Sequence, residues 1–255
     1  MEFGANAPGK HRQVPLRTGS RPAGVWLVRQ GALKFALPIT TGTKPGVADY
    51  LPAPHGLPGF DVPVEQTVPA MVPYLELADG HVYVAGDGAD EIQPASDGRS
   101  LRVVWKHWAM IGAKSGVPSD LGSSMGLTTE VSWTIAAGTL TRTEKIQAAK
   151  PVTVRRFWVM FPSTADRVST SLVAPDSNNA GHRVDRFASS QGSLEVAVSN
   201  STVPLNVTLQ APGDSNIGRG SRLPVRMLLQ WEARNVVIQS NRPLQWSVAL
   251  RPVAE

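Results

Sequence analysis

An all-β fold, a large antiparallel two-sheet β-sandwich with little helix, is predicted for this 255-residue chain by three features of its sequence. Apolar and polar residues alternate in steps of two, as in Leu127-Thr128-Thr129-Glu130-Val131-Ser132-Trp133-Thr134-Ile135, which sends successive side chains to opposite faces of a strand. Clusters of Gly, Pro, Asn and Asp, the residues of tight turns, separate the alternating segments. No long segment keeps the spacing of an amphipathic helix.

The elements follow in order. Gly24 to Gln30 and Ala32 to Pro38 read as a hairpin turning at Gln30-Gly31. From Thr40 to Pro63 the pattern lapses, and the prolines of Tyr50-Leu51-Pro52-Ala53-Pro54-His55-Gly56-Leu57-Pro58-Gly59-Phe60 deny it the ladder of a central strand. A long ordered loop is expected there, a common place for function. Met71 to Leu77 and His81 to Ala85 form a second hairpin through Asp79-Gly80. Leu101 to Ile111 reads as one long strand, with Leu101, Val103, Trp105 and His107 on one face and Arg102, Val104, Lys106 and Trp108 on the other. Leu127 to Ile135, Thr139 to Gln147 and Val152 to Phe161 read as a three-stranded meander. Val168 to Val173, Ser193 to Val198, Pro204 to Leu209, Leu223 to Trp231, Asn235 to Gln239 and Leu244 to Leu250 complete the set. About fourteen strands suit two large sheets packed face to face. Residues 1 to 255 are expected to form a single domain whose weakest internal point is 115 to 124.

Cysteine is absent, which excludes disulfides and thiolate metal sites, so stability must come from apolar burial. No metal or cofactor motif is present, and none is expected to be bound. The formal charge is +5, with Lys10, Arg12, Arg17, Arg21, Arg29, Lys34 and Lys44 opposed only by Glu2 before Asp49. These cations are spaced singly rather than in a dense run, so an anionic partner fits but a nucleic acid is not expected. No run of about eighteen apolar residues occurs, so no transmembrane helix and no membrane partner are predicted. The opening Met-Glu-Phe-Gly-Ala-Asn lacks a signal-peptide pattern. A start so close to β-sequence is expected of a fragment of a longer protein, secreted or periplasmic where an upstream leader exists.

Candidate site residues come from residue chemistry. Tyr50 and His55 share the Pro-rich loop, and a phenol and an imidazole suit proton transfer at a sugar ring, though a packed Tyr and a solvated His are the plainer alternative. Trp105-Lys106-His107-Trp108 is the densest cluster: Arg102, Lys106 and Trp108, with His107 nearby, would form a strip for sugar stacking and anion binding. The alternative places both tryptophans in the core. Arg155, Arg156, Phe157 and Trp158 pose the same choice, with Arg156 the candidate and at most one arginine on a given face. Asp87, Asp90 and Glu91 lack a full calcium loop and read as an acidic turn. His81, His107 and His182 could meet only through the fold.

Gly126 to Thr134, Gly138-Thr139-Leu140-Thr141-Arg142 and Pro151 to Trp158 resemble the β-sandwich halves of heparinase II/III-like and alginate-lyase-like bacterial polysaccharide-processing enzymes. The likeness is one of pattern and spans roughly residues 20 to 165, with Leu33 to Pro38 and the Tyr50 to Phe60 loop similar to the start of such a module. It implies an acidic polysaccharide or oligosaccharide as partner and an upstream helical toroid forming the other wall of a groove, which supplies much of the lyase chemistry. The expected function is therefore a module that binds or flanks an acidic polysaccharide, within a lyase or hydrolase. Two alternatives stay open. A sugar mutarotase or epimerase would need histidines and a carboxylate meeting in one pocket, drawn from His55, His81, His107 and Glu130. A structural shell subunit would need only the sheets and the basic front.

Overall fold

The computed structural model describes residues 10–18, 21–39, 53–60, 71–85, 89–106, 108–111, 118–123, 125–174, 182–199, 201–210 and 226–253. These contain eighteen strands and no helix. In chain order they are β1 (Lys10–Thr18), β2 (Arg21–Gln30), β3 (Leu33–Ile39), β4 (Pro73–Leu77), β5 (Val82–Ala85) and β6 (Glu91–Pro94). Then come β7 (Ser100–Trp105), β8 (Trp108–Ile111), β9 (Pro118–Ser123), β10 (Leu127–Ala136), β11 (Thr139–Ala148) and β12 (Val152–Ser163). The last are β13 (Arg167–Val173), β14 (His182–Ser189), β15 (Gly192–Ser199), β16 (Asn206–Gln210), β17 (Met227–Ile238) and β18 (Leu244–Val253).

Two large antiparallel sheets make the sandwich. One has eight strands in the order β13-β14-β15-β18-β11-β10-β7-β6, the other seven in the order β16-β17-β12-β4-β5-β8-β9. A three-stranded sheet, β1-β2-β3, packs beside them. Its β2–β3 turn is the one expected: Gln30 pairs with Leu33, and Gly31 takes a φ of +56°, which a residue without Cβ adopts freely. The Asp79-Gly80 hairpin also forms, between β4 and β5. Period-two alternation supplies the core. Leu127, Val131, Trp133 and Ile135 of β10 point inward, as do Val154, Phe157, Val159 and Phe161 of β12 and Leu229 and Trp231 of β17. Trp231 meets Trp246 of β18 edge-on at 5.2 Å, joining the two sheets. Each such buried side chain contributes about 1.5–3 kcal/mol, and with no cysteine the fold rests on their sum.

Several expectations change. The long strand from Leu101 to Ile111 is two strands in different sheets: β7 pairs with β10 and β6, whereas β8 pairs with β5 and β9. Because the chain crosses from one sheet to the other between Trp105 and Trp108, simple alternation does not carry through, and both indoles turn into the core. The meander is likewise cut, since β10 and β11 pair but β12 joins the other sheet. Of the strands expected at Leu223 to Trp231 and Asn235 to Gln239, residues 223 to 225 lie outside the described ones, and the rest run together as β17, Met227–Ile238, which continues through Asn235 at a φ of +53°. Four strands went unanticipated, among them β6, at the end of the acidic turn, and β9, within the expected weak point at 115 to 124. β1 runs through the basic front of the chain at a sheet edge, where Pro15 is tolerated, and β14 is polar, with Asp185 buried against Arg183.

One charged pair lies at the centre of the core. Arg142 and Glu144 sit on the inward face of β11 between Leu140 and Ile146, fully buried, with Nη2 of Arg142 donating to Oε2 of Glu144 at 2.8 Å. The guanidinium lies 5.4 Å from the Trp133 ring and 5.2 Å from that of Trp246. Its Nη1 donates to the carbonyl of Met71 at 2.6 Å. That bond helps hold Met71 at a φ of +58°, a region costly for a residue with a Cβ. Burial penalises the Glu144 charge more than Arg142 stabilises it, and its pKa is pushed up to about 7.

Two outcomes follow for stability. The native state binds the Glu144 proton more tightly than the unfolded chain does, so its contribution is full below the ordinary value of 4.5 and is lost as pH rises through about 7. Urea midpoints should therefore fall more between pH 5 and 8 for the wild type than for Glu144→Gln, by roughly 1.4 kcal/mol per unit of the pKa difference. At the crossing, Trp108→Ala should cost about 3–5 kcal/mol in urea unfolding by opening a core cavity. Lys106→Ala, at an exposed position, should leave the midpoint unchanged.

Candidate functional site

The strip expected from Arg102, Lys106 and Trp108 does not assemble. Arg102, half-buried in β7 of the eight-stranded sheet, and the exposed Lys106 that follows this strand do reach solvent, but Trp108 is 0% exposed and belongs to the seven-stranded sheet. Moreover, the cations are already engaged. Arg102 donates to Glu130 at 2.6 Å and to Gln93 at 3.1 Å, and Lys106 donates to Glu91 at 2.7 Å. Hydrogen bonds from Lys106 and Arg102 lower the pKa values of Glu91 and Glu130 respectively, so both stay ionised at neutral pH. Of the expected acidic turn, Asp87 lies outside the described residues, Glu91 opens β6, and the Asp90 carboxylate accepts the backbone N–H of Lys106 at 2.6 Å. This face is a closed lattice of opposite charges.

The other sheet brings aromatic rings and guanidinium groups together. On the outward face of β4, β12 and β17, Trp158 pairs across the strands with Tyr74 on one side and Glu232 on the other. The Tyr74 and Trp158 rings stack with centroids 5.0 Å apart and planes 9° from parallel. Arg156 lies 4.6 Å from the Trp158 ring centre and reaches Glu232 through Nε at 2.9 Å and Nη2 at 2.7 Å. Arg234 donates its Nε to the other oxygen of Glu232 at 3.0 Å, and Gln230 bonds the same carboxylate at 3.1 Å. A continuous ladder, Tyr74-Trp158-Arg156-Glu232-Arg234, thus crosses three strands.

A local irregularity builds part of it. The inward residues Val154 and Phe157 are three apart because the ladder shifts between Val154 and Arg156. Both arginines consequently serve the outer face, Arg156 through Glu232 and Arg155 through Glu76 at 3.2 Å. Strict alternation, which allowed only one of them, is corrected by that extra residue. Burial opposes the ionisation of Glu232, but the bonds from Arg156 and Arg234 outweigh it and its pKa is lowered. Two guanidinium groups then share one carboxylate. Arg234 is 67% exposed, and its Nη1 and Nη2 have no partner among the described residues, leaving a planar fork toward solvent.

The remaining expected residues scatter. Tyr50 and His107 lie outside the described residues. His55 is fixed through its backbone, exchanging hydrogen bonds with Ala36 of β3 at 2.9 and 2.8 Å. Within the described part of its loop, residues 53 to 60, Leu57 and Phe60 are buried, and Phe60 stacks on Phe161. His81 pairs with Asp79 at 2.9 Å and Glu130 with Arg102, so these two are engaged elsewhere rather than with each other. Among the described residues no three His, Asp or Glu side chains gather as metal ligands would. Sequence reasoning missed Tyr74, Glu232, Arg234 and the Arg142–Glu144 pair. A signal existed for the last: Leu140, Arg142, Glu144 and Ile146 fall on one face by a count of two. None existed for the ladder, whose three strands are far apart in the chain.

No protein-family model matches this chain, and no curated protein matches its sequence. Among solved structures, the 4-alpha-glucanotransferase of Thermococcus litoralis is similar over 96% of this chain, with 10% identity and a TM-score of 0.45. The match takes in 40% of that chain, so this protein spans less than half of it. A protein of Escherichia coli K12 provisionally named an aldose 1-epimerase is similar over 96% of this chain and 100% of its own, with 12% identity and a TM-score of 0.43. At such distances neither enzyme's chemistry transfers to this chain.

Proposed function

We propose that this protein is a carbohydrate-associated β-sandwich module that binds an acidic polysaccharide on the outward face of its seven-stranded sheet. The observation that carries this reading is the Tyr74-Trp158-Arg156-Glu232-Arg234 ladder, in which the buried Tyr74 and Glu232 back a partly exposed Trp158 and a guanidinium whose Nη1 and Nη2 have no partner among the described residues. A uronate unit offers matching chemistry: a planar carboxylate for the Arg234 fork, which the buried Glu232 carboxylate holds in place, hydroxyls for the half-buried Gln230, and an apolar ring face for the exposed part of Trp158. The resemblance of residues 20 to 165 to the sandwich halves of polysaccharide lyases supports the same class of ligand. In this reading the module flanks a groove completed by an upstream helical toroid, and any proton transfer from this chain falls to Tyr50 and His55. Arg102 and Lys106, held by Glu91 and Glu130, stand aside from the ligand.

The test is titration of the protein with a uronic-acid oligosaccharide and with a neutral oligosaccharide of equal length. The acidic ligand should bind more tightly, with affinity falling as salt rises through screening. Arg234→Ala should weaken that binding about tenfold, a loss near 1.4 kcal/mol, with an unchanged urea midpoint. Equal affinity for both ligands, or none for either with the fold intact, would sink the proposal.

A further inference from the structure

The interior of the sandwich carries more polar atoms than its own hydrogen bonds use. Arg142 Nε, Glu144 Oε1, Thr129 Oγ1 and the indole Nε1 atoms of Trp105, Trp133, Trp231 and Trp246 are all buried without a partner among the described residues. The residues that carry them are neighbours in the sheet register or across the core. Trp105 stands opposite Thr129 in the register of β7 and β10, Trp133 opposite Arg142 in that of β10 and β11, and Glu144 opposite Trp246 in that of β11 and β18. Thr129 is two residues from Val131, the partner of Glu144, and so lies diagonal to the carboxylate on the same inward face. Trp231 reaches the patch from the other sheet through its contact with Trp246.

The donors and acceptors do not balance by direct pairing. Five of the seven orphaned atoms are N–H donors, against one carboxylate oxygen and one hydroxyl. Side chains opposite or diagonal in a sheet stand about 4.5–8 Å apart at their Cβ atoms, and one water with bonds of about 2.8 Å spans roughly 5.6 Å. Water also accepts two hydrogen bonds and donates two, which converts surplus donors into partners for Glu144 and Thr129. An anion fits less well, because Glu144 already sits against the Arg142 charge at 2.8 Å.

We propose that this patch is a sealed hydration site, in which ordered water bridges Glu144, Arg142, Thr129 and the surrounding indoles. The site is independent of the outer ladder, so its failure leaves the polysaccharide reading untouched. A crystal structure of the full chain at high resolution decides it. Density for water within hydrogen-bond distance of Glu144 Oε1 and of at least one of Arg142 Nε, Thr129 Oγ1 or an indole nitrogen is the expected result. A dry contact, or a halide in that density, overturns the proposal. Thr129→Val, which keeps the shape and removes the hydroxyl, gives a second readout in solution. A bridged hydroxyl predicts a lower urea midpoint for the variant, whereas an unchanged or higher midpoint means that the hydroxyl had no partner and counts against the site.

Discussion

Burial of one face of each sheet against the other is the constraint on which everything else depends. No disulfide is available, so the layer of tryptophans, phenylalanines and branched aliphatic residues between the sheets must supply the cohesion. It also dictates what each strand offers to solvent. Once Val154, Phe157, Val159 and Phe161 are committed inward, Arg156 and Trp158 have nowhere to go but out, and the same holds for Glu232 and Arg234 beside Trp231 and Ala233. The candidate binding face is in this sense the complement of the core.

Charge is handled differently inside and out. On the outer faces, arginines and carboxylates meet in exposed or partly exposed pairs whose individual worth is small, about 0–1 kcal/mol where water screens them. Inside, the partners that Arg142 and Glu144 find among the described residues are each other, a backbone carbonyl and aromatic faces. There the loss of hydration dominates, and the ordinary preference of a carboxyl for its charged form is weakened. The same two residue types therefore stay plainly ionised on one surface and become sensitive to proton activity a few strands away.

The fold class and many of the strands were legible in the sequence because alternation is a local property. Leu127 to Ile135 needs nothing beyond its own residues to declare which side is buried, and Gln30-Gly31 and Asp79-Gly80 mark their turns directly. Partnership between strands was not legible. The segment from Leu101 to Ile111 reads as one strand because a crossing between sheets leaves no turn signal, only Lys106 and its neighbour between two tryptophans. Trp108 was misplaced for that reason, and Arg155 because an extra residue in β12 breaks the count without breaking the pattern. The aromatic and basic ladder draws on β4, β12 and β17, and only the register brings Tyr74, Trp158 and Glu232 side by side.

The chain visits the two large sheets in turn: β4 and β5 in one, β6 and β7 in the other, β8 and β9 back in the first, and so on until β18 closes beside β11. Neither layer is therefore a continuous piece of polypeptide. Leu140 must wait for Leu250, more than a hundred residues later, to complete its row, and pairings so distant in sequence make assembly slow. Ribosomal synthesis would expose a half-built, sticky layer until the last strand emerges, and no single cut could release one sheet whole.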